Sequence, residues 1–338
     1  MRLKDNSCSF TGSLLSFPMP KLPPYTPDPE QMALWPDASG NDINGLHEAE
    51  FRRPKHVYWG DPDKITFGPV QKWFYTKNAD PSLQRGRAER MEEEKIPLPP
   101  IASVPVNKSP SEWADALKSE ALRLGADDVG VARISADWAY QGWEVSFSHI
   151  VVLAIAMDYD EMLAAPEPSA GAEVVRQYTR GMKTSKALAG WLRNQGHDAE
   201  AEHGPFAEGL TMVPAAIAAG LGELGKHGSI INAKLGSCFR LAAVLTNLPL
   251  TTDDPVDNGT DGFCENCQIC ARQCPPQAIT HDKQAVRGYE KWYVDFDKFL
   301  PFFNEHAGCA ICITVCPFSR PGVGENLIAK LARRTALD

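Results

Sequence analysis

Strand and helix signals alternate between residues 106 and 257 and predict an α+β or α/β layer, flanked by a proline- and aromatic-rich first third and a cysteine-dense stretch near the C-terminus. A chain of 338 residues exceeds the length at which one core stops growing, so more than one compact unit is expected. The expected units are an extended cover over 1–105, the layered domain over 106–257, a cysteine module over 258–322 and a terminal helical segment over 323–338.

Fifteen of the 27 prolines fall within residues 1–105, which predicts a cover without long helices or central strands. Its aromatics, among them Trp35, Tyr58, Trp59, Phe67 and Phe74, are too many for a disordered linker, so an ordered wrap on the layered domain is expected, with a short charged helix over 84–95. At Ser109-Pro110-Ser111-Glu112 an N-cap, a first-turn proline and a capping-box Glu open a helix carrying Trp113, Leu117, Ala121 and Leu124 on one face. Val129 to Ile134 and His149 to Met157 read as buried strands, and Ala172 to Arg193 as a helix closed by Gly196. A small-residue helix from Leu210 to Ala219, the glycine turn Gly220-Leu221-Gly222-Glu223-Leu224-Gly225 and a strand from Phe239 to Asn247 complete the layer. Leu327 to Arg334 reads as the last helix.

Cys264, Cys267, Cys270 and Cys274, followed by Pro275, form a C-x2-C-x2-C-x3-C-P run, and Cys309-x2-Cys312-x3-Cys316-Pro317 repeats its second half 45 residues on. Such spacing wraps three thiolates around one cubane iron–sulfur cluster and sends the fourth to a neighbour. Exchange of the last cysteine assigns Cys264, Cys267, Cys270 and Cys316 to one [4Fe–4S] cluster and Cys274, Cys309 and Cys312 to the other, which is one thiolate short. The alternatives for the deficient site are a [3Fe–4S] cluster, a non-cysteine ligand such as His306, or a distant cysteine, Cys8 or Cys238. Zinc favours paired C-x2-4-C halves, and disulfides need an oxidising compartment that nothing else suggests.

A net charge of −9 and a pI near 5.5 argue against a nucleic-acid partner. The longest apolar run, Ile150 to Met157, is too short to span a bilayer, and no signal peptide follows Met1, so a cytoplasmic protein without a membrane partner is expected.

The glycine turn with Lys226, then Leu235-Gly236-Ser237, then Thr246-Asn247-Leu248-Pro249-Leu250, then the two cysteine motifs, resemble the cobalamin-dependent iron–sulfur reductases. That resemblance implies a nitroreductase-like cobalamin-binding domain with a ferredoxin-like two-cluster module, and it has two branches, the reductive dehalogenases and epoxyqueuosine reductase. Phe67-Gly68-Pro69-Val70-Gln71-Lys72-Trp73 and Cys316-Pro317-Phe318 resemble the dehalogenase branch, and Thr211 stands where the tRNA-modifying branch carries a catalytic Asp. Related proteins often supply a cysteine at the position of Phe299.

The dehalogenase resemblance implies that Tyr178 is the proton donor and Arg240 the basic residue stabilising the phenolate left behind. It further implies a base-off corrinoid held near Gly220, Leu221, Gly222 and Gly225, with His203 among the polar groups at the substrate. No D-x-H-x-x-G run occurs, so cobalt ligation by histidine is not supported. The expected activity is reduction of an organohalide, a halogenated aromatic by analogy, with electrons from an external ferredoxin- or flavodoxin-type donor. The alternatives are an epoxyqueuosine-type tRNA reductase and a ferredoxin-like carrier without corrinoid.

Overall fold

The structure, a computed structural model, describes residues 24–205 and 209–335. Cys8 and part of the expected cover lie outside the described residues. The chain first forms α1 (Pro29–Met32), α2 (Gly40–Asn44), α3 (Gly68–Lys77) and α4 (Pro81–Glu94), then α5 (Pro110–Arg123), β1 (Asp128–Arg133), β2 (His149–Ala156), α6 (Tyr159–Met162), α7 (Pro168–Asn194) and β3 (Ala199–His203). There follow α8 (Met212–Ala218), β4 (Glu223–Leu224), β5 (Ile230–Ile231), β6 (Phe239–Thr246), α9 (Thr260–Cys267), α10 (Ile269–Arg272), β7 (Gln284–Val286), β8 (Tyr289–Lys291), α11 (Phe296–Glu305), α12 (Ile311–Thr314) and α13 (Gly324–Thr335).

The central sheet runs in the order β1-β2-β6-β3 and every pairing is antiparallel, which makes the fold α+β. Val151, Leu153 and Ile155 pack against Trp113 and Leu117 of α5 and Leu188 and Leu192 of α7. Ile150, Val152 and Ala154 pack on the opposite face against Leu210, Ala215 and Ala216. Both faces of β2 are therefore covered, which is why its sequence is continuously apolar instead of alternating. The capping box that opens α5 is formed in full: the Ser109 N–H donates to Glu112 Oε2 at 2.8 Å and the Glu112 N–H to Ser109 Oγ at 3.3 Å.

Two expectations about the first third need correction. Its prolines do not keep helices out: Pro29, Pro69 and Pro81 sit in the first turns of α1, α3 and α4, where a missing N–H costs nothing and a fixed φ favours the helix. Nor does the cover wrap on the layered domain alone. Several stretches do so: Glu89 of α4 accepts from Lys183 of α7 at 2.7 Å, the Pro54 carbonyl accepts from the Gln141 N–H at 2.8 Å, His56 stacks on Tyr140, and the Pro99 carbonyl accepts from Arg193 at 3.1 Å. Residues 25–78 also grip the cysteine module. Asn41 donates to Asp295 at 2.8 Å and accepts from the Phe296 N–H and the Tyr293 hydroxyl, Tyr58 donates to Asn304 at 2.7 Å, and Asn78 donates to the Asn304 carbonyl. Val57, Tyr58, Phe67, Val70 and Phe74 share one apolar core with Leu300 of α11. No helix among the described residues is long and apolar enough to cross a membrane.

Candidate functional site

Tyr178 is carried on α7, whose Gly181, one turn on, lies flat against the sheet: a side chain there would meet Ala242 at 3.3 Å and Ile155 at 3.4 Å. A polar lattice fixes the same stretch. Arg180 donates to Asp127 and to the Ala156 carbonyl, both at 2.7 Å, and to Gln177, while Gln177 donates to the buried Glu173, which also accepts from the Asp158 N–H. Helix and sheet edge are thereby locked in one register around Tyr178. Gly204 lies against the tyrosine ring so closely that a Cβ would come within 2.5 Å of it.

Arg240, the second residue of β6 and paired with Ile155 of β2, holds its guanidinium 5.4 Å from the centre of the Tyr178 ring. Its Nε is buried without a hydrogen-bond partner. The sequence-assigned pair Tyr178 and Arg240 is thus brought together.

Both residues line two adjoining cavities. One, of about 1760 Å³, lies between α4 and α7 and is lined by Arg87, Arg90, Val175 and His203. The other, of about 1060 Å³, is lined by Thr211, His227, Phe239, Phe299, Tyr293 and the thiols of Cys274, Cys309 and Cys312. His56, Trp59 and Phe303 belong to the walls of both. His203, the last residue of β3, has its Nδ1 buried and unpaired, and burial together with the Arg90 charge draws its pKa down to about 4, so the ring is neutral at pH 7.

The seven motif cysteines form one neighbourhood: Cys312 feels Cys309, Cys270, Cys274 and Cys316. Cys264, Cys267 and Cys270 act electrostatically on one another and on Cys316, and none of these four faces the cavities. Burial raises the thiols of Cys264 to about 11 and of Cys270 and Cys316 to about 12. Cys309 is raised to about 11 by burial and then by Cys274. Thiols so reluctant to ionise alone are suited to an iron cluster that carries the opposing charge. All seven are free of disulfides. Among the described residues no three His, Cys, Asp or Glu side chains converge as tightly as a single ion requires, whereas a cubane keeps its sulfur ligands further apart.

Beyond the seven motif cysteines, the thiol among the described residues is Cys238. It packs with Met157, Met162 and Ile313 in a cluster against which Cys312 also packs, and burial pushes its thiol up to about 11. His306 stacks on Phe302 and its Nδ1 lies 3.0 Å from the Phe302 carbonyl, outside both cavity walls. Phe299 packs with Cys270, Cys274 and Cys312.

The glycine turn reaches the smaller cavity through Leu224. A Cβ on Gly220 would strike the Asp254 carbonyl at 2.7 Å, one on Gly222 the Ile231 carbonyl at 2.2 Å, and one on Gly225 the Ile231 and His227 side chains; Leu221 is buried in the core. These residues accommodate the chain's own backbone and do not line either cavity. Three groups were not assigned to a site from the sequence: His56 and Trp59 reach the cavities from the cover, and Lys226 lies buried beside Cys264, Cys267 and Cys270. An aromatic in a proline-rich stretch shows no period, and a lysine after a turn reads as surface.

Residues 263–319 match the 4Fe–4S dicluster domain family. Over 267 residues the chain is 30% identical to the tetrachloroethene reductive dehalogenase of Sulfurospirillum multivorans, covering 65% of this chain and 52% of that one. It is 30% identical over 189 residues to the epoxyqueuosine reductase of Salmonella typhimurium, covering 50% and 48%. A solved reductive dehalogenase described for B12-dependent dehalogenation superposes with a TM-score of 0.62 at 27% identity, over 75% of this chain and 40% of that one. The chain thus spans about half the length of the curated relatives it matches. In its cysteine module and sequence the chain is similar to iron–sulfur oxidoreductases. Within that class the chain is similar to the reductive dehalogenases, with epoxyqueuosine reductases as more distant relatives.

Proposed function

We propose that this chain reductively removes halide from an organohalide, a halogenated aromatic, using a base-off corrinoid and two iron–sulfur clusters. The observation that carries the reading is the position of Tyr178 and Arg240 in the wall shared by two large cavities, one of which ends on Cys274, Cys309 and Cys312. Residues around the smaller cavity would hold the corrinoid, which supplies the two-electron reduction of the carbon–halogen bond. Each turnover takes two electrons, delivered singly by an external ferredoxin- or flavodoxin-type donor through the two thiolate sets, and one proton.

The Tyr178 hydroxyl gives that proton to the carbon as halide departs, and the Arg240 guanidinium faces the phenolate that remains. Trp59, Phe303 and Val175 form apolar walls that exclude water and suit a flat aromatic guest. Neutral His203 offers the unpaired Nδ1 to a polar substituent. Free thiols at both sets suit the reducing cytoplasm. A second reading, a tRNA-modifying reductase, draws support from the epoxyqueuosine relatives. Against it stand the net charge of −9 and Thr211, whose hydroxyl is spent on the Trp138 carbonyl where that branch carries an acid.

The test is anaerobic loading with corrinoid, a visible spectrum of the bound cofactor, and assay of bromide or chloride release from halophenols. Retained corrinoid with halide release supports the reading. Protein that holds clusters but excludes corrinoid would leave an electron carrier.

A further inference from the structure

Lys226 is 1% exposed, yet no described carboxylate forms an ion pair with it. Its ammonium donates to the His281 carbonyl at 2.6 Å and stands 4.4 Å above the Trp292 ring. Both partners are neutral, whereas a buried lysine ordinarily requires an opposite charge. Burial disfavours its charged form, and the groups that oppose this are the sulfurs of Cys270 and Cys264, then Asp282 and Cys267. Its own backbone N–H bonds the Cys264 sulfur. Trp292, under the ammonium, packs in one apolar cluster with Cys264 and Cys316. Lys283 reaches the same ring at 5.3 Å, but its charge is matched by Asp261 at 2.6 Å.

We propose that the Lys226 ammonium is the built-in countercharge of the cluster held by Cys264, Cys267, Cys270 and Cys316, and that it raises that cluster's reduction potential. The inference rests on the iron–sulfur part of the reading above and on neither the corrinoid nor the halide chemistry. One electron taken from a low-potential one-electron donor makes the cluster one charge more negative. A fixed cation in a dry site stabilises that reduced form more than the oxidised one, so electrons entering the chain collect first at this set before passing to the set facing the cavity. Lys226 acts through the cluster ligands and is a positioning residue for charge, not a catalytic one.

The experiment is an anaerobic potentiometric titration of the cluster-loaded full chain, with dithionite as reductant and each cluster followed by electron paramagnetic resonance. In Lys226→Met and the more isosteric Lys226→Gln, the reduced-to-oxidised ratio of the four-thiolate cluster at a fixed potential should fall at least tenfold, a downward shift of about 59 mV for a one-electron couple. The other cluster should shift by less than a third of that. Lys226→Arg should restore most of the parent potential, and Lys283→Met should change the ratio less than threefold. Unmoved potentials in cluster-bearing Lys226→Gln overturn this inference alone. A parent chain without iron–sulfur signals overturns it together with the cluster assignment, and absent dehalogenation leaves it standing.

Discussion

The two thiolate sets differ in what encloses them. Cys264 and Cys316 pack with Trp292 and Phe318, and Lys226 lies beside Cys264, Cys267 and Cys270, whereas Cys274, Cys309 and Cys312 form part of a cavity wall together with Tyr178 and Arg240. By the assignment made from spacing the first set has four sulfurs and the second three, and the second lines the cavity. On the function proposed above such a pair is graded for direction, with charge held at the first site and used at the second. Adjacent residues mark the divide, since Lys226 lies at the first set and His227 lines the cavity.

The largest expected effect tests whether the cavity side is where chemistry happens. Tyr178→Phe should lower halide release by about 10²-fold or more while leaving both cluster signals as they are. Normal turnover by that variant would end the assignment of the proton donor.

The difference in ligand number should be visible directly. Electron paramagnetic resonance and iron analysis of the anaerobic protein are expected to give two unlike clusters, and Phe299→Cys, which places a thiol beside Cys274 and Cys312, should make them alike. Two indistinguishable [4Fe–4S] signals in the parent, unaffected by replacing both Cys8 and Cys238, would contradict the three-thiolate site.

A smaller effect concerns pH. His227 is enclosed, its Nδ1 accepts from the Ser229 N–H, and its Nε2 faces the Ser237 hydroxyl, which donates to the Ile230 carbonyl. This network assigns the neutral ring with its proton on Nε2. Burial holds its pKa near 4, below the ordinary 6.5, so the unfolded chain binds the proton more readily. Its contribution is complete above pH 6.5 and is lost as pH falls toward 4, at most about 3 kcal/mol. Denaturant unfolding of parent and His227→Gln between pH 4.5 and 7 should show a shallower acid slope in the variant; equal slopes would clear His227 of the effect.

The smallest is a control remote from both sets. Ser109→Ala removes the capping box of α5 and should cost about 1 kcal/mol in unfolding free energy without altering either cluster signal.

What the sequence made legible was what local rules decide. The capping box, the runs of β1, β2 and β6, and the presence of a dicluster module follow from near neighbours and from a spacing that admits few geometries. Tyr178 and Arg240 were reached through family likeness, and the packing brings them to one wall. What stayed hidden depends on partners far along the chain. Asn41 and Asp295 are 254 positions apart, and no periodicity in the cover announces α11 as its partner. The glycines of 220–225 show a related point: glycine signals close approach without saying by what, and here the Asp254 and Ile231 carbonyls come close.

The exchange of cysteines between motifs has a consequence for assembly. Each set takes its last sulfur from the other stretch of chain, so clusters inserted there act as two interlocked staples, not as separate loads. Binding iron at the first set would draw in Cys316, and Cys312, four positions before it, would then arrive beside Cys274 already close at hand. Closing the first loop bears most of the entropic cost of the second, so loading should be all-or-none. Conversely, loss of Cys316 alone should strand Cys309 and Cys312 and empty both sites, making maturation of this chain a single cooperative event.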